Sequence, residues 1–249
     1  MAGFDTTLST YDAESVEFRG HDLASEVMGE LDFGETIFLL LTGDVPSEGE
    51  GRTVNAMLAS LMVHGMTPHA IASRMTLLSA PESIQGAVAS GMLGAGTRYL
   101  GAMERCAEQL GRLADEDSDP DSVEELVGEF TRRGDPFPGI GHPLHTPVDP
   151  RAERLFAVAK DADVAGEHVD LLLAVRDAFE DETDRELPIN ITGAIAAVSA
   201  DLGLPPAAAK GIAIISRTSG LVAEVVEEQR DPMALEMWQL IEENTEYEP

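Results

Sequence analysis

The chain has 249 residues, of which 43% are apolar, and its 46 acidic residues against 16 basic ones give a formal net charge of −30. This length suits one compact unit or two closely packed domains. The charge excludes a nucleic-acid-binding role, which needs a basic surface, and no apolar run reaches the length of a membrane span.

The acidic residues are spread along the whole chain. Their mutual repulsion destabilises a compact state in dilute salt and is screened at high ionic strength. We interpret this as adaptation to a salt-rich cytoplasm; the alternative is an acidic surface for a basic partner. Cys106 is the only cysteine, so an internal disulfide is excluded. The first residues lack a secretion signal, and we expect a cytoplasmic protein.

The first third of the chain predicts a short β-element followed by helices. Residues 7–19 are polar and contain β-formers, which suggests a hairpin or an extended arm. Helical spacing of apolar residues begins at Asp22 and is expected to break at Gly34. Further helices are predicted at 36–41, at 54–63, and from Pro68 to residue 80 after an N-cap at Thr67.

Residues 82–102 predict one long helix that is rich in glycine, alanine and serine. Each interior glycine costs about 1 kcal/mol against alanine. Either a close backbone approach requires these glycines or the helix breaks in its middle. An acidic loop at 114–122 and a proline- and glycine-rich loop at 134–150 are also predicted. Helices are predicted at 123–133, 151–161, 166–179, 193–202, 205–228 and 232–243.

Almost nothing alternates with a period of two, so the predicted fold class is all-α. His142 lies in the long loop, three residues before His145. Because Pro143 separates them and no third ligand is nearby, we expect no metal site. Arg217 lies in an apolar helical stretch, where its charge needs a compensating anion. That anion is either a glutamate in a buried ion pair or a bound carboxylate, which an arginine fork suits.

Six segments, in order along the chain, resemble the citrate synthase family and most closely its short citryl-CoA lyase-like members. The most specific is Gly139-Ile140-Gly141-His142 followed by Asp149-Pro150-Arg151. The resemblance implies a large helical domain (1–100 and 188–249), a small inserted helical domain (101–187), a site in the cleft, and a homodimer. The other segments are 18–22, 38–46, 64–68, 188–190 and 216–220.

The resemblance also implies roles for single residues. His64 would bind the oxaloacetate part of the substrate, His142 its keto or hydroxyl oxygen, and Arg151 and Arg217 its carboxylates. Arg230 would correspond to an arginine that one subunit lends to its neighbour's site. Coenzyme A is expected as a substrate thioester, with no tightly bound cofactor. The backbone expected to contact its adenine comprises Pro138, Gly139, Ile140 and Gly141.

Two positions depart from the synthases of the family. Tyr99 stands where they carry a histidine, and Thr192 stands where they carry a catalytic aspartate. Threonine is no general base at neutral pH, and the unperturbed pKa of tyrosine is about 10. The resemblance still implies cleavage of citryl-CoA to acetyl-CoA and oxaloacetate. His142 would take the hydroxyl proton, and Tyr99 and Thr192 would donate to the thioester oxygen.

Two alternatives remain open at this point. One is a synthase-like condensation or cleavage that uses a different 2-oxo acid or acyl-CoA. The other is a catalytically inactive homologue that binds coenzyme A or a dicarboxylate, or that accompanies an active subunit.

Overall fold

The computed structural model of the chain describes residues 3–96, 100–115, 121–142 and 144–248. These residues form eleven α-helices and one small β-sheet, which confirms the predicted all-α class. No helix among them is long and apolar enough to cross a membrane. The helices are Phe33–Thr42 (α1), Glu48–Ser60 (α2), Pro68–Ser79 (α3), Ile84–Leu93 (α4), Gly101–Asp115 (α5), Asp121–Arg133 (α6), Pro150–Asp161 (α7), Glu167–Thr183 (α8), Ile191–Asp201 (α9), Pro206–Arg230 (α10) and Ala234–Glu243 (α11).

A small antiparallel sheet precedes the helices. Its strands, Ser9–Tyr11 (β1), Val16–Phe18 (β2) and His21–Asp22 (β3), pair in the order β1-β2-β3. The hairpin alternative for this segment is therefore confirmed. The helix predicted from Asp22 to Gly34 is too long, because only the turn Leu23–Val27 is helical and it ends at Met28.

The prediction that Gly34 breaks a helix is wrong, because Gly34 lies in the first turn of α1. A capping box between Asp32 and Glu35 starts this helix just before it. A Cβ on Gly34 would lie 2.6 Å from the side-chain carbonyl of Asn55 on α2. The glycine therefore permits close packing of the two helices.

The long helix predicted over residues 82–102 is wrong as a single element, and the alternative of a break is confirmed. Helix α4 ends at Gly94, and α5 begins at Gly101. Close approach also occurs, since a Cβ on Gly91 would lie 2.8 Å from the carbonyl oxygen of His69. The glycines thus serve both as a helix end and as a packing contact.

Backbone contacts divide the chain into two compact units. Unit 1 comprises Met1–Leu58 and Ala102–Ala209, and unit 2 comprises Ala59–Gly101 and Lys210–Pro249. In unit 1, α9 packs against α7 and α8, and α8 also packs against α6. In unit 2, α3 packs against α4 and α11. The division into domains 1–100 with 188–249 and 101–187 stays a prediction. The unit 2 core includes Leu77, Ala87, Val88, Leu221 and Val225.

Candidate substrate-binding site

The glycine loop between α6 and α7, described at residues 134–142 and 144–149, packs Gly139 on the first turn of α9. Gly139 and Gly141 have φ values of +97° and +88°, which favour glycine. A Cβ on Gly139 would lie 2.6 Å from the Cα of Gly193, and one on Gly193 would lie 2.5 Å from the carbonyl oxygen of Gly139. The two glycines therefore set the distance between the loop and the helix.

Hydrogen bonds to residues just before α9 hold this glycine loop. The backbone N–H of Gly141 donates to the carbonyl of Pro188 at 2.7 Å, and that of Asn190 donates to the carbonyl of Gly139 at 3.0 Å. The Asn190 side-chain amide donates to the carbonyl of Gly141 at 2.8 Å. Loop and helix start are thus bonded into one rigid substructure.

Thr192 lies in the first turn of α9, half-buried and beside this substructure. Its backbone N–H donates to the side-chain oxygen of the N-cap Asn190 at 3.0 Å. The end of a helix where N–H groups point outward carries partial positive charge. Thr192 therefore lies where negative charge would be stabilised. Tyr99, the second residue that departs from the family pattern, lies outside the described residues.

The imidazole of His142 is fixed by the loop that follows it. Its Nδ1 accepts the backbone N–H of Leu144 at 3.1 Å and that of His145 at 2.9 Å. A neutral imidazole that accepts at Nδ1 carries its proton on Nε2. The geometry therefore makes His142 a hydrogen-bond donor through Nε2. The rings of His142 and His145 lie 4.4 Å apart, and no group of three or more metal-ligating side chains exists among the described residues.

Asp149 is fully buried and joins the starts of α7 and α9. It caps α7 and accepts the backbone N–H of Ile191 at 3.0 Å. The Arg151 guanidinium donates to its two oxygens at 3.0 and 2.8 Å. Burial by itself raises the pKa of Asp149, but these hydrogen bonds outweigh burial and lower the pKa below its usual value. The fork uses two of the five N–H donors of Arg151 and fixes its plane.

Two cavities border the glycine loop within unit 1. One, of about 460 Å³, is lined by Ile140, Gly141, Phe137 and Arg185 among others. The other, of about 630 Å³, is lined by α7, α8 and residues 186–189 and includes Arg176. Each is of the size that small-molecule sites have.

Unit 2 contains a group of charged side chains, the arginine cluster: Arg74 from α3 and Arg217, Glu224, Glu227 and Glu228 from α10. Arg74, Arg217 and Glu228 are buried, Glu224 is half-buried and Glu227 is exposed. Arg74 is 2% exposed and donates to Glu228 at 2.9 Å and also to Glu227. The second oxygen of Glu228 accepts the backbone N–H groups that begin α11. This buried ion pair therefore links three helices.

Arg217 is 5% exposed, so its burial agrees with the prediction that its charge needs an anion nearby. His69, also buried, lies close enough to feel that charge. Burial, together with neighbouring Arg217 and His64, lowers the pKa of His69 to about 4. His69 is therefore neutral at pH 7. Arg230, the last residue of α10, is exposed.

Glu224 contrasts with the paired glutamates of the arginine cluster. Its Oε2 is buried and has no hydrogen-bond partner among the described residues. Burial raises the pKa of Glu224, against the opposing effect of Arg74 and Arg217 and with a smaller contribution from Glu227. The sequence did not single out Glu224, because a glutamate in a helix is most often solvated.

The sequence profile of the family described as citrate synthase, C-terminal domain, matches residues 51–238. The chain belongs to the citrate synthase family. Citryl-CoA lyase from Hydrogenobacter thermophilus is 32% identical, with a TM-score of 0.90 over 99% of this chain and 94% of that chain. Family membership confirms the resemblance on which the site prediction rests, while the roles of single residues stay predictions.

Longer members of the family also match. Citrate synthase from Haloferax volcanii is 27% identical over 224 residues, which are 88% of this chain and 57% of that protein. ATP citrate lyase from Methanothrix soehngenii, solved in complex with citrate and coenzyme A, shares the fold at 20% identity, with a TM-score of 0.78 over 92% of this chain and 39% of that chain. The chain thus spans little more than half of the curated citrate synthase.

Proposed function

We propose that this chain cleaves citryl-CoA to acetyl-CoA and oxaloacetate. The observation that carries the proposal is the likeness to the citryl-CoA lyase of Hydrogenobacter thermophilus, which extends over nearly all of both chains at 32% identity. Citryl-CoA joins a coenzyme A thioester to a polycarboxylate. The candidate residues supply donors and cations suited to those two parts.

The reaction breaks the bond between the hydroxyl-bearing carbon and the methylene carbon next to the thioester. The hydroxyl loses its proton and becomes the keto group of oxaloacetate. The electron pair of the broken bond forms the thioester enolate, which takes a proton to give acetyl-CoA. The site must therefore hold the carboxylates, bind the hydroxyl oxygen and stabilise the enolate.

The structure changes the role that we propose for His142. The sequence suggested that it takes the hydroxyl proton, but its Nδ1 already accepts two backbone N–H groups. Its Nε2–H is therefore a donor, which suits the oxygen that is a hydroxyl in the substrate and a keto group in the product. The proton acceptor is then another group. We propose His64, the other histidine that family resemblance assigns to the oxaloacetate part.

Arginines and the first turn of α9 supply the remaining groups. We propose that Arg151, fixed by its fork with Asp149, and Arg217 hold the substrate carboxylates. The Thr192 hydroxyl, at the positive end of α9, would donate to the enolate oxygen. Tyr99 is proposed as a second donor to the same oxygen.

The cavity of about 460 Å³ beside Ile140 and Gly141 is the proposed site for the nucleotide part of coenzyme A. The loop backbone from Pro138 to Gly141 would contact the adenine. Several of its polar groups already bond to Pro188 and Asn190. The loop would therefore recognise the base mainly by shape, and Arg185 would attract a phosphate. Coenzyme A is then a substrate group and not a resident cofactor.

We further propose a salt-adapted cytoplasmic homodimer in which Arg230 contributes to the neighbouring site. The excess of 46 acidic over 16 basic residues supports the salt adaptation. The exposed position of Arg230 at the end of α10 suits a contact with a second subunit. Light scattering at high salt tests the dimer, and a monomer would contradict it.

A binding function without turnover is the second candidate, because Thr192 supplies no carboxylate where the synthases of the family have one. Assays with citryl-CoA and malyl-CoA, in roughly molar KCl to screen the surface charge, separate the two candidates. We expect oxaloacetate from citryl-CoA. Calorimetry that detects coenzyme A and oxaloacetate binding, in the absence of any cleavage, would favour the second candidate. Cleavage of malyl-CoA in preference would indicate a different acyl substrate.

A further inference from the structure

Glu224 is the one member of the arginine cluster with a buried carboxyl oxygen that lacks a hydrogen-bond donor among the described residues. Glu228 accepts hydrogen bonds at both oxygens, and Glu227 pairs with Arg74 while its side chain is 60% exposed. Ionising a carboxylate that has a buried oxygen without a donor is costly. Burial of this oxygen therefore favours the protonated form of Glu224 and raises its pKa.

The charge of the arginine cluster depends on this one group. Arg74 and Arg217 contribute two positive charges, and Glu227 and Glu228 contribute two negative charges. The cluster is then neutral when Glu224 is protonated and carries one net negative charge when it is ionised. Neighbouring His69 is neutral near pH 7. An anionic ligand is therefore bound more favourably by the form in which Glu224 holds its proton.

We propose that Glu224 couples dicarboxylate binding at Arg217 to the uptake of one proton. This inference rests on the proposed function, in which Arg217 binds a substrate carboxylate. Glu224 lies seven residues after Arg217 on α10, so both side chains project from the same face of the helix. Arg74, Arg217 and Glu227 are the charged groups that act on Glu224 from α3 and α10.

The sign of the coupling follows from linkage. A bound dianion disfavours the ionised form of Glu224, so the bound state holds its proton to higher pH than the free state does. Between these two titrations the protein takes up a proton with each ligand. Affinity is therefore greatest at low pH and weakens as pH rises, by at most about tenfold per pH unit for one proton.

Calorimetric titration with oxaloacetate from pH 5 to pH 8, at high salt, tests the proposal, because the pKa of Glu224 is raised above the ordinary value of a glutamate. Both ligand carboxyls stay ionised over this range. We expect the Kd of the wild type to rise with pH and that of Glu224→Gln to stay nearly constant. Glu236→Gln is the matched control, because it removes one charge from an exposed position of unit 2. It should retain the slope of the wild type.

Equal slopes in wild type and Glu224→Gln would overturn the proposal and assign the coupling to another group, such as His64. Absence of oxaloacetate binding by the wild type at every pH would also overturn it. Repeating the wild-type titration in buffers of different ionisation enthalpy counts protons directly and does not depend on the variant's folding. A count of zero throughout overturns the proposal. The citryl-CoA assay is separate: no cleavage, with the coupling intact, contradicts only the proposed function.

Discussion

The glycine loop of unit 1 and the arginine cluster of unit 2 are built in different ways. The loop is held by backbone hydrogen bonds and by the contact between Gly139 and Gly193. The cluster is held by buried charges, of which Arg74 and Glu228 form the central pair. The shape of the loop therefore determines its role in binding. The proposed role of the arginine cluster depends instead on the protonation of Glu224. This difference predicts that substitutions in the loop change stability and activity by altering its shape. Substitutions in the cluster should change how ligand binding depends on pH.

The largest expected effect is that of Gly139→Val. The Cβ of valine would clash with the backbone of Gly193, only 2.6 Å away. The valine would also have to adopt the positive φ of Gly139. We expect a loss of about 3 kcal/mol or more in the free energy of unfolding, or a displaced loop without activity. Urea unfolding and the cleavage assay measure both. Gly111→Ala, in open space on α5, is the control and should be neutral or slightly stabilising.

Asp149→Asn tests the buried carboxylate that ends the glycine loop. It leaves Arg151 without its carboxylate and weakens the link to α9, so we expect a loss of about 3 kcal/mol at pH 7 together with lower activity. The folded-state pKa of Asp149 is lowered, so its contribution to stability is present above the unfolded pKa of about 3.9 and is lost as pH falls through the lower folded value.

Unfolding of Asp149→Asn against wild type, at pH 7 and again below pH 4, checks this sign. The difference between the two proteins should shrink in acid. Asp161→Asn, at an exposed position at the end of α7, should change stability by less than about 0.5 kcal/mol. A difference between Asp149→Asn and wild type that is independent of pH would show that shape, and not charge, dominates here too.

The smallest expected effect is that of Arg185→Glu at the cavity beside Ile140. An exposed phosphate contact in high salt is screened, so we expect the KM for the thioester to rise by about tenfold or less, with kcat unchanged. Arg133→Glu, on the exposed end of α6, is a control of the same charge change. Equal effects of the two substitutions on the KM would contradict the proposal that this cavity binds the nucleotide part of coenzyme A.

Much of the fold follows from local sequence signals. The N-cap Thr67 with Pro68 and the loop after α6 were predicted because caps, prolines and glycines act within a few residues. Gly34 was misjudged because its neighbour Asn55 comes from another helix. A glycine that permits packing and one that ends a helix look alike in sequence.

The site was predictable in part, because the family motifs are also short segments of the sequence. Family motifs indicated His142, Arg151 and Arg217. The motif did not show that Nδ1 of His142 is already occupied, nor that Asp149 holds Arg151. The central ion pair of the arginine cluster was missed because Arg74 and Glu228 are 154 residues apart in the chain. Such long-range pairs leave no pattern of spacing.

The most direct test of the central claim is product analysis with citryl-CoA in roughly molar KCl, on wild type and His142→Ala. We expect the wild type to release acetyl-CoA and oxaloacetate in equal amounts. Loss of the Nε2–H donor should lower kcat by about 100-fold or more with a smaller change in KM. Absence of oxaloacetate from the folded wild type, or equal rates in both proteins, would contradict the proposal.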